Sequence, residues 1–211
     1  MSKQVETNEE YRKAAHFLAR AMSERSLRAA VITGARPGDG ATTAAVRIAD
    51  LLARDLALKT ALVELPRSSP DLATLLNLDA SRSVEAAAAG DQPLDDCLQR
   101  PSPTGAWILP SAGNGPAAPS VESLVTKVLG LLASFDIVLF DAPPALRSVD
   151  ALAATRIAPA LVLVVRAGRT RHEMIERIRR DFEEQKVEIL GAVLNRRKRY
   201  IPGWLYGLLA R

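Results

Sequence analysis

The sequence predicts an α/β fold, a parallel sheet with helices on both faces. Two observations predict it. Six short runs, residues 29–33, 60–65, 106–109, 135–140, 160–165 and 187–194, are largely apolar and rich in β-branched side chains. Strands of that kind are buried on both faces, as parallel sheets require, and helical spacing fills most of the chain between them. The second observation is local. The first run, Val31-Ile32-Thr33, passes straight into the glycine-rich turn Gly34-Ala35-Arg36-Pro37-Gly38-Asp39-Gly40 and then into an alanine-rich amphipathic stretch.

Taken in order, Asn8 is placed to cap a helix over residues 9–23, whose apolar face is Tyr11, Ala14, Ala15, Phe17, Leu18 and Met22. The first strand, the glycine turn and a helix over 42–56 follow. Strand 60–65 is closed by Pro66 and Pro70 ahead of a helical patch at 71–76. Ser83 caps an alanine-rich turn, 84–89, that Gly90 stops. Residues 91–119, rich in Pro, Gly, Ser and Ala, read as loop interrupted only by strand 106–109. Helix 120–133 leads to strand 135–140, which ends at Asp141-Ala142-Pro143-Pro144. Helix 149–156, strand 160–165, the strongly charged helix 172–185 and strand 187–194 complete the set. With no internal repeat and no dividing linker, residues 1–211 read as a single domain. It comprises an N-terminal helix (1–27), a core (28–195) and a basic, aromatic C-terminal segment (196–211).

The bulk numbers exclude more than they assign. A net charge of +4 is too mild to call for nucleic acid, and much of it sits in Arg196-Arg197-Lys198-Arg199. The lone Cys97 forbids an internal disulfide and fits a reducing compartment; Asp95-Asp96 beside it disfavour a reactive thiolate. The polar, acidic first ten residues hold no signal-type apolar run, and residues 160–165 are too short to span a bilayer. The expectation is a cytoplasmic protein whose membrane link, if any, is peripheral. His16 and His172 fall on charged helix faces with no acid or thiol cluster at ligand spacing.

The glycine turn carries the chemistry. Strand, tight glycine loop and helix in that order build a phosphate cradle, with backbone N–H groups turned inward and the helix N-terminus adding partial positive charge. The P-loop pattern, G/A-x-x-x-x-G-K-S/T, is matched from Ala35 to Thr42 at every fixed position except one. Ala41 stands where the lysine belongs. The expected nucleotide-contact set is Ala35, Pro37, Gly38, Asp39, Gly40, Ala41, Thr42 and Thr43, with Thr42 and Asp141 as magnesium ligands if the metal binds.

Together these motifs resemble the MinD/ParA-type P-loop ATPases, and more closely the bacterial tyrosine kinases of capsule and exopolysaccharide assembly. The resemblance runs from about residue 9 to 195. Ala35 to Gly40 resembles that family's Walker A loop, including its Pro-Gly, and Phe140-Asp141-Ala142-Pro143-Pro144 its Walker B. Leu109-Pro110-Ser111-Ala112-Gly113, Arg166-Ala167-Gly168-Arg169-Thr170 and Gly191-Ala192-Val193-Leu194-Asn195 are similar to its later motifs. The resemblance implies a parallel-sheet P-loop NTPase fold and places Asn195 at the adenine base. The departures cluster at the chemistry. Besides Ala41, the family's second acidic pair, Asp-x-Asp, reads Glu64-Leu65-Pro66. Its E-x-x-R-x-x-R oligomer contact keeps Glu9 and Arg12 as interface residues but has Ala15 for the last arginine. Its tyrosine-rich tail is reduced to Tyr200 and Tyr206.

Loss of a charge partner for bound phosphate costs about 2–5 kcal/mol, and phosphoryl transfer depends on positioned cations even more than binding does. Magnesium-ATP is therefore expected to bind weakly or not at all, with Glu64 and Asp141 as vestigial catalytic positions and Arg36 or Arg67 as possible substitute cations. The expectation is a degenerate, kinase-like cytosolic component of polysaccharide assembly, docking on an inner-membrane polysaccharide co-polymerase. The alternatives are an active ATP-dependent tyrosine autokinase and a ParA-like positioning protein, which Ala41 disfavours. The segment 196–211 is read as packing or partner contact ahead of a peripheral membrane anchor.

Overall fold

The computed structural model describes residues 2–66, 72–102, 104–113, 120–128, 130, 133–156 and 158–196. Helix α1 (Ser2–Glu24) leads into β1 (Ala29–Gly34), α2 (Ala41–Arg54) and β2 (Thr60–Glu64). Three short helices, α3 (Leu72–Leu76), α4 (Val84–Ala89) and α5 (Leu94–Cys97), separate β2 from β3 (Trp107–Leu109). Then come α6 (Val121–Val128), β4 (Ile137–Ala142), α7 (Asp150–Thr155), β5 (Ala160–Arg166), α8 (His172–Glu183) and β6 (Glu188–Asn195). The strands form one parallel sheet of six in the order β3-β2-β4-β1-β5-β6. All six expected strands are present.

Alternation along the strands divides the core in two. Ile32, Leu62, Leu139 and Val162 face α1 and α2, meeting Leu18, Ile48 and Leu52. Val31, Val63, Phe140 and Leu163 face the other way, against Val84, Leu124, Ala154 and Phe182 of α4, α6, α7 and α8. The spacing of Ala44, Ala45, Ile48, Ala49 and Leu52, all buried, gives α2 one continuous apolar stripe against the sheet. The small alanines let that helix sit close above β1. The loop between them is thereby held tightly over the sheet's carboxyl edge.

Two element ends and one helix absent from the expectation stand out, each for a local reason. Asn8 lies inside α1, which begins at Ser2; Glu6, Glu9 and Glu10 are good helix formers and no Gly or Pro interrupts them. Helix α5 was hidden by its Pro-rich surroundings. Pro93 leads into it, Asp95 and Asp96 suit the positive end of its first turn, and Cys97 is buried beneath it. Helix α6 is Val121–Val128; residues 129, 131 and 132 of the expected helix lie outside the described residues. Strand β4 starts at Ile137 because Asp136 is spent on Lys59, whose N–H donates to the Asp136 carboxylate at 2.8 Å. Ser83 caps α4 as expected, its hydroxyl accepting from the Ala86 N–H at 3.2 Å. The C-terminal segment beyond Arg196, and with it Tyr200 and Tyr206, lies outside the described residues, as does Arg67.

Candidate phosphate-loop site

The carboxyl ends of β1, β2 and β4 finish level. Ile32 pairs in register with Asp141, and Asp141 with Glu64. Asp141 and Glu64 therefore share the α2 face with Leu139 and Leu62, beside the loop that enters α2, and both are fully buried. Ligands of open parallel sheets bind at this edge, where the chain leaves neighbouring strands in opposite directions. Here β2 and β3 lie to one side of β1, and β5 and β6 to the other.

The loop is shaped by glycine. Gly38 (φ 81°) and Gly40 (φ 89°) are both left-handed, conformations costly for any residue with a Cβ. Gly40 precedes α2 without a side-chain cap, so no hydroxyl or carboxylate of the cap residue fills the helix's N-terminal donors. A Cβ on Gly40 would overlap the Asn195 amide nitrogen. The backbone at Gly40 and the side chain at Asn195 are thus fitted to each other.

Hydrogen bonds fasten this loop to three neighbours. Asp39, 1% exposed, accepts the Arg36 N–H at 2.9 Å and the Thr170 hydroxyl at 3.3 Å. Asn195 donates from Nδ2 to the Asp39 carbonyl at 2.9 Å, while its Oδ1 accepts the Tyr11 hydroxyl at 3.2 Å. At the base, the Thr33 hydroxyl donates to the Pro143 carbonyl at 2.7 Å, and the Ala145 N–H to the Gly34 carbonyl at 2.9 Å. Loop, Walker B-type turn, β6 and α1 form one hydrogen-bonded unit.

The expected site residues fall into distinct roles. Ala35, Pro37, Gly38, Asp39, Gly40, Ala41, Thr42 and Thr43 form the loop and the first turn of α2. Ala41, the first residue of that helix, is half-buried at the edge of the α1–α2 core and carries no charge, so no cation rises from that position. Asp141 lies level with the loop's base. Glu64 is tied down differently: its carboxylate accepts the Leu72 N–H at 3.2 Å and the Ser111 N–H at 3.1 Å, bracing the segments after β2 and β3. Pro66, buried, offers neither carboxylate nor N–H. Asn195, expected at an adenine base, has both ends of its amide engaged by Tyr11 and Asp39.

On α1, Glu9 and Arg12 are exposed but paired within the chain, Glu9 with Lys13 and Arg12 with Asp55 at 2.6 Å. Ala15 is 1% exposed and packs into the α1–α2 core, where an arginine would have no room. His16 and His172 are exposed, and no metal-type cluster exists among the described residues. Cys97 is buried, and that burial, reinforced by Asp96, pushes its thiol pKa up.

Sequence reasoning gave no role to Tyr11 or Thr170 at this site. The signal for Thr170 was present in Arg166-Ala167-Gly168-Arg169-Thr170, a glycine turn directly after a buried strand. Tyr11 carried none, since a helical apolar stripe explains it fully.

No family model matches the chain. The tyrosine-protein kinase YwqD of Bacillus subtilis is 27% identical over 197 residues, covering 90% of this chain and 81% of that protein. Its relatives are bacterial tyrosine kinases. The tyrosine-protein kinase CpsD of Streptococcus agalactiae is 26% identical over 170 residues, 78% of this chain and 73% of CpsD. The kinase domain of the Escherichia coli tyrosine kinase ETK superposes with a TM-score of 0.76 at 25% identity, covering 88% of this chain and 74% of that domain. The cell division ATPase MinD of Pyrococcus furiosus matches in fold, with a TM-score of 0.70 at 22% identity over 86% of this chain and 78% of MinD. The fold is that of a MinD-like P-loop NTPase. Among the described residues of this tyrosine-kinase relative, Tyr11 is 7% exposed with its hydroxyl engaged, and so is closed to modification. No helix among the described residues is long and apolar enough to cross a membrane.

The loop has the backbone shape of a phosphate cradle: two left-handed glycines lead into a helix start that no side chain caps. Bound there, a nucleotide would supply a transferable phosphoryl group. What these residues do not supply is the lysine-type cation at position 41.

Proposed function

We propose that this chain is a non-phosphorylating relative of bacterial tyrosine kinases. It keeps the nucleotide-loop architecture for docking and assembly rather than for turnover. The observation that carries the reading is Ala41, an uncharged, half-buried methyl at the start of α2 where transfer chemistry requires a cation. Two further features support it: Glu64 is engaged by the Leu72 and Ser111 backbone, and Pro66 stands where a second carboxylate is needed. In this reading the protein works in the cytoplasm at the inner-membrane face of an exopolysaccharide or capsule system, on a polysaccharide co-polymerase. Exposed Glu9 and Arg12 serve contact between copies or with that partner, and magnesium-ATP binds weakly.

The alternative is an active ATP-dependent tyrosine autokinase, favoured by the activity that the relatives' names state. Incubation of the whole chain with labelled ATP and magnesium separates the two. The expected result is no label on Tyr11, Tyr200 or Tyr206. Stoichiometric phosphotyrosine would establish the autokinase reading instead.

A further inference from the structure

We propose that Arg169 is the substitute cation of this phosphate loop, a positioning residue that binds nucleotide phosphate in place of the lysine missing at Ala41. The inference rests on the nucleotide-loop reading above and names the residue by which that site holds its ligand.

Arg169 comes from a different strand than the loop it serves. After β5 the chain turns tightly at Gly168 (φ 72°), with the Arg169 and Thr170 N–H groups donating to the Arg166 carbonyl at 3.2 and 3.0 Å. This turn is clipped in place on two sides. The Thr170 hydroxyl accepts from the Arg166 N–H at 3.0 Å and donates to the Asp39 carboxylate at 3.3 Å. The Ala167 N–H donates to the Asn195 carbonyl at 2.9 Å. The turn is thus fixed to the phosphate loop and to the end of β6 together.

The consequence lies at the loop's apex. Arg169 Nη1 stands 3.7 Å from the point a Cβ on Gly38 would occupy, which places the guanidinium beside a left-handed glycine of the cradle. Arg169 is exposed, and it forms no ion pair or side-chain hydrogen bond among the described residues. Asp39 is the carboxylate built into the loop; its Oδ2 accepts both the Arg36 N–H and the Thr170 hydroxyl, and neither of its oxygens bonds this guanidinium. The charge remains available to a ligand. A guanidinium offers planar, paired donors that match phosphate oxygens, and it stays protonated at any physiological pH. Approaching from the β5 turn rather than from α2, it neutralises bound phosphate without occupying the lysine's position in the helix. That arrangement supports binding of a nucleoside di- or triphosphate and leaves transfer unassisted.

Calorimetric titration of the full chain with magnesium-ATP, magnesium-ADP and adenosine tests the assignment. Arg169→Gln and Arg169→Ala should weaken magnesium-ATP by about tenfold or more, the worth of one charge-assisted contact. Arg169→Lys should recover part of the loss, and adenosine binding should not move. Ligand-free melting temperatures should match the parent, because the side chain is exposed and unpaired. Arg36→Ala, on the loop itself, should weaken binding less. Unchanged ATP affinity in Arg169→Gln, a larger loss in Arg36→Ala, or no magnesium-ATP binding by the parent at millimolar concentration would each overturn the proposal. Tyrosine labelling by the parent would sink the non-phosphorylating reading instead, and the binding ratios would still judge Arg169.

Discussion

The two halves of the sheet's carboxyl edge have been treated differently. At the end of β1 the phosphate loop keeps its shape: left-handed Gly38 and Gly40, an uncapped α2, and a fitted Asn195. At the end of β2 a buried carboxylate acts as a brace, with Glu64 holding Leu72 and Ser111 while Pro66 follows. The difference teaches where each property resides. A cradle is made of backbone geometry, which two glycines and a few hydrogen bonds maintain whatever the ligand. Transfer chemistry is made of a few charged side chains, and one substitution each removes them. On the reading proposed above, architecture outlasts activity at such a site, and the contrast can be broken from either end.

The largest expected effect comes from returning charge to the intact half. Ala41→Lys places an ammonium at the start of α2 with the glycine cradle already formed. Magnesium-ATP affinity should rise by about thirtyfold or more, equivalent to roughly 2 kcal/mol or more of recovered charge pairing. Turnover should stay absent, because Pro66 still lacks a carboxylate; phosphate release should need at least Pro66→Asp in addition. In the Ala41→Lys background the loss caused by Arg169→Gln should shrink, since two cations then share one phosphate. Calorimetry beside a phosphate-release assay checks all three statements. Brisk turnover by the single variant would place Pro66 outside the chemistry.

Next in size is the braced half. Glu64→Ala leaves the buried N–H groups of Leu72 and Ser111 without this acceptor. Each unmet buried donor costs roughly 1–3 kcal/mol, so the variant should lose about 2–6 kcal/mol in denaturant unfolding. Glu64→Gln keeps one oxygen and should lose less. Neither variant should alter nucleotide affinity much if Glu64 is a brace. A large loss of magnesium-dependent binding with little change in stability would instead return it to the metal site.

How much of this was legible in the sequence follows the same division. The strands could be read because a fully buried parallel strand leaves an apolar run with no competing explanation, as at 160–165. The loop could be read because left-handed turns restrict their residues so sharply that Gly38 and Gly40 announce themselves. Helix ends were read less well, since Asn8 fits a cap and a helix interior alike. The bracing contacts were not legible at all. Tyr11 and Asn195 are 184 residues apart in the chain, and Glu64 looks the same in sequence whether it faces a metal or the backbone of Ser111. Only the fold brings those partners together.

The smallest effect tests whether α1 is coupled to the cradle. Tyr11→Phe removes one hydroxyl, whose donation to Asn195 at 3.2 Å is long, so the loss should be about 0.5–1.5 kcal/mol. The packing of the ring on the α1–α2 core remains. A second signature reports the burial of this hydroxyl. Burial raises the Tyr11 pKa above its ordinary value of 10.0, with Glu10 adding to the rise and Arg47 and Arg196 opposing it. The folded state therefore favours the neutral phenol more than the unfolded chain does. Its contribution to stability is fully present below about pH 10, the unfolded tyrosine value, and is lost as pH climbs through the raised folded value. Unfolding measured from pH 8 to 11 should show the parent losing this increment at the alkaline end, and Tyr11→Phe should lack that component. With the hydroxyl gone, Asn195 keeps its donation to the Asp39 carbonyl but has lost the bond that ties it to α1. Hydrogen exchange at the loop amides of residues 38–42 should then quicken at neutral pH. Unchanged exchange there would mean that the loop and β6 hold Asn195 unaided, and that α1 reports nothing to the phosphate site.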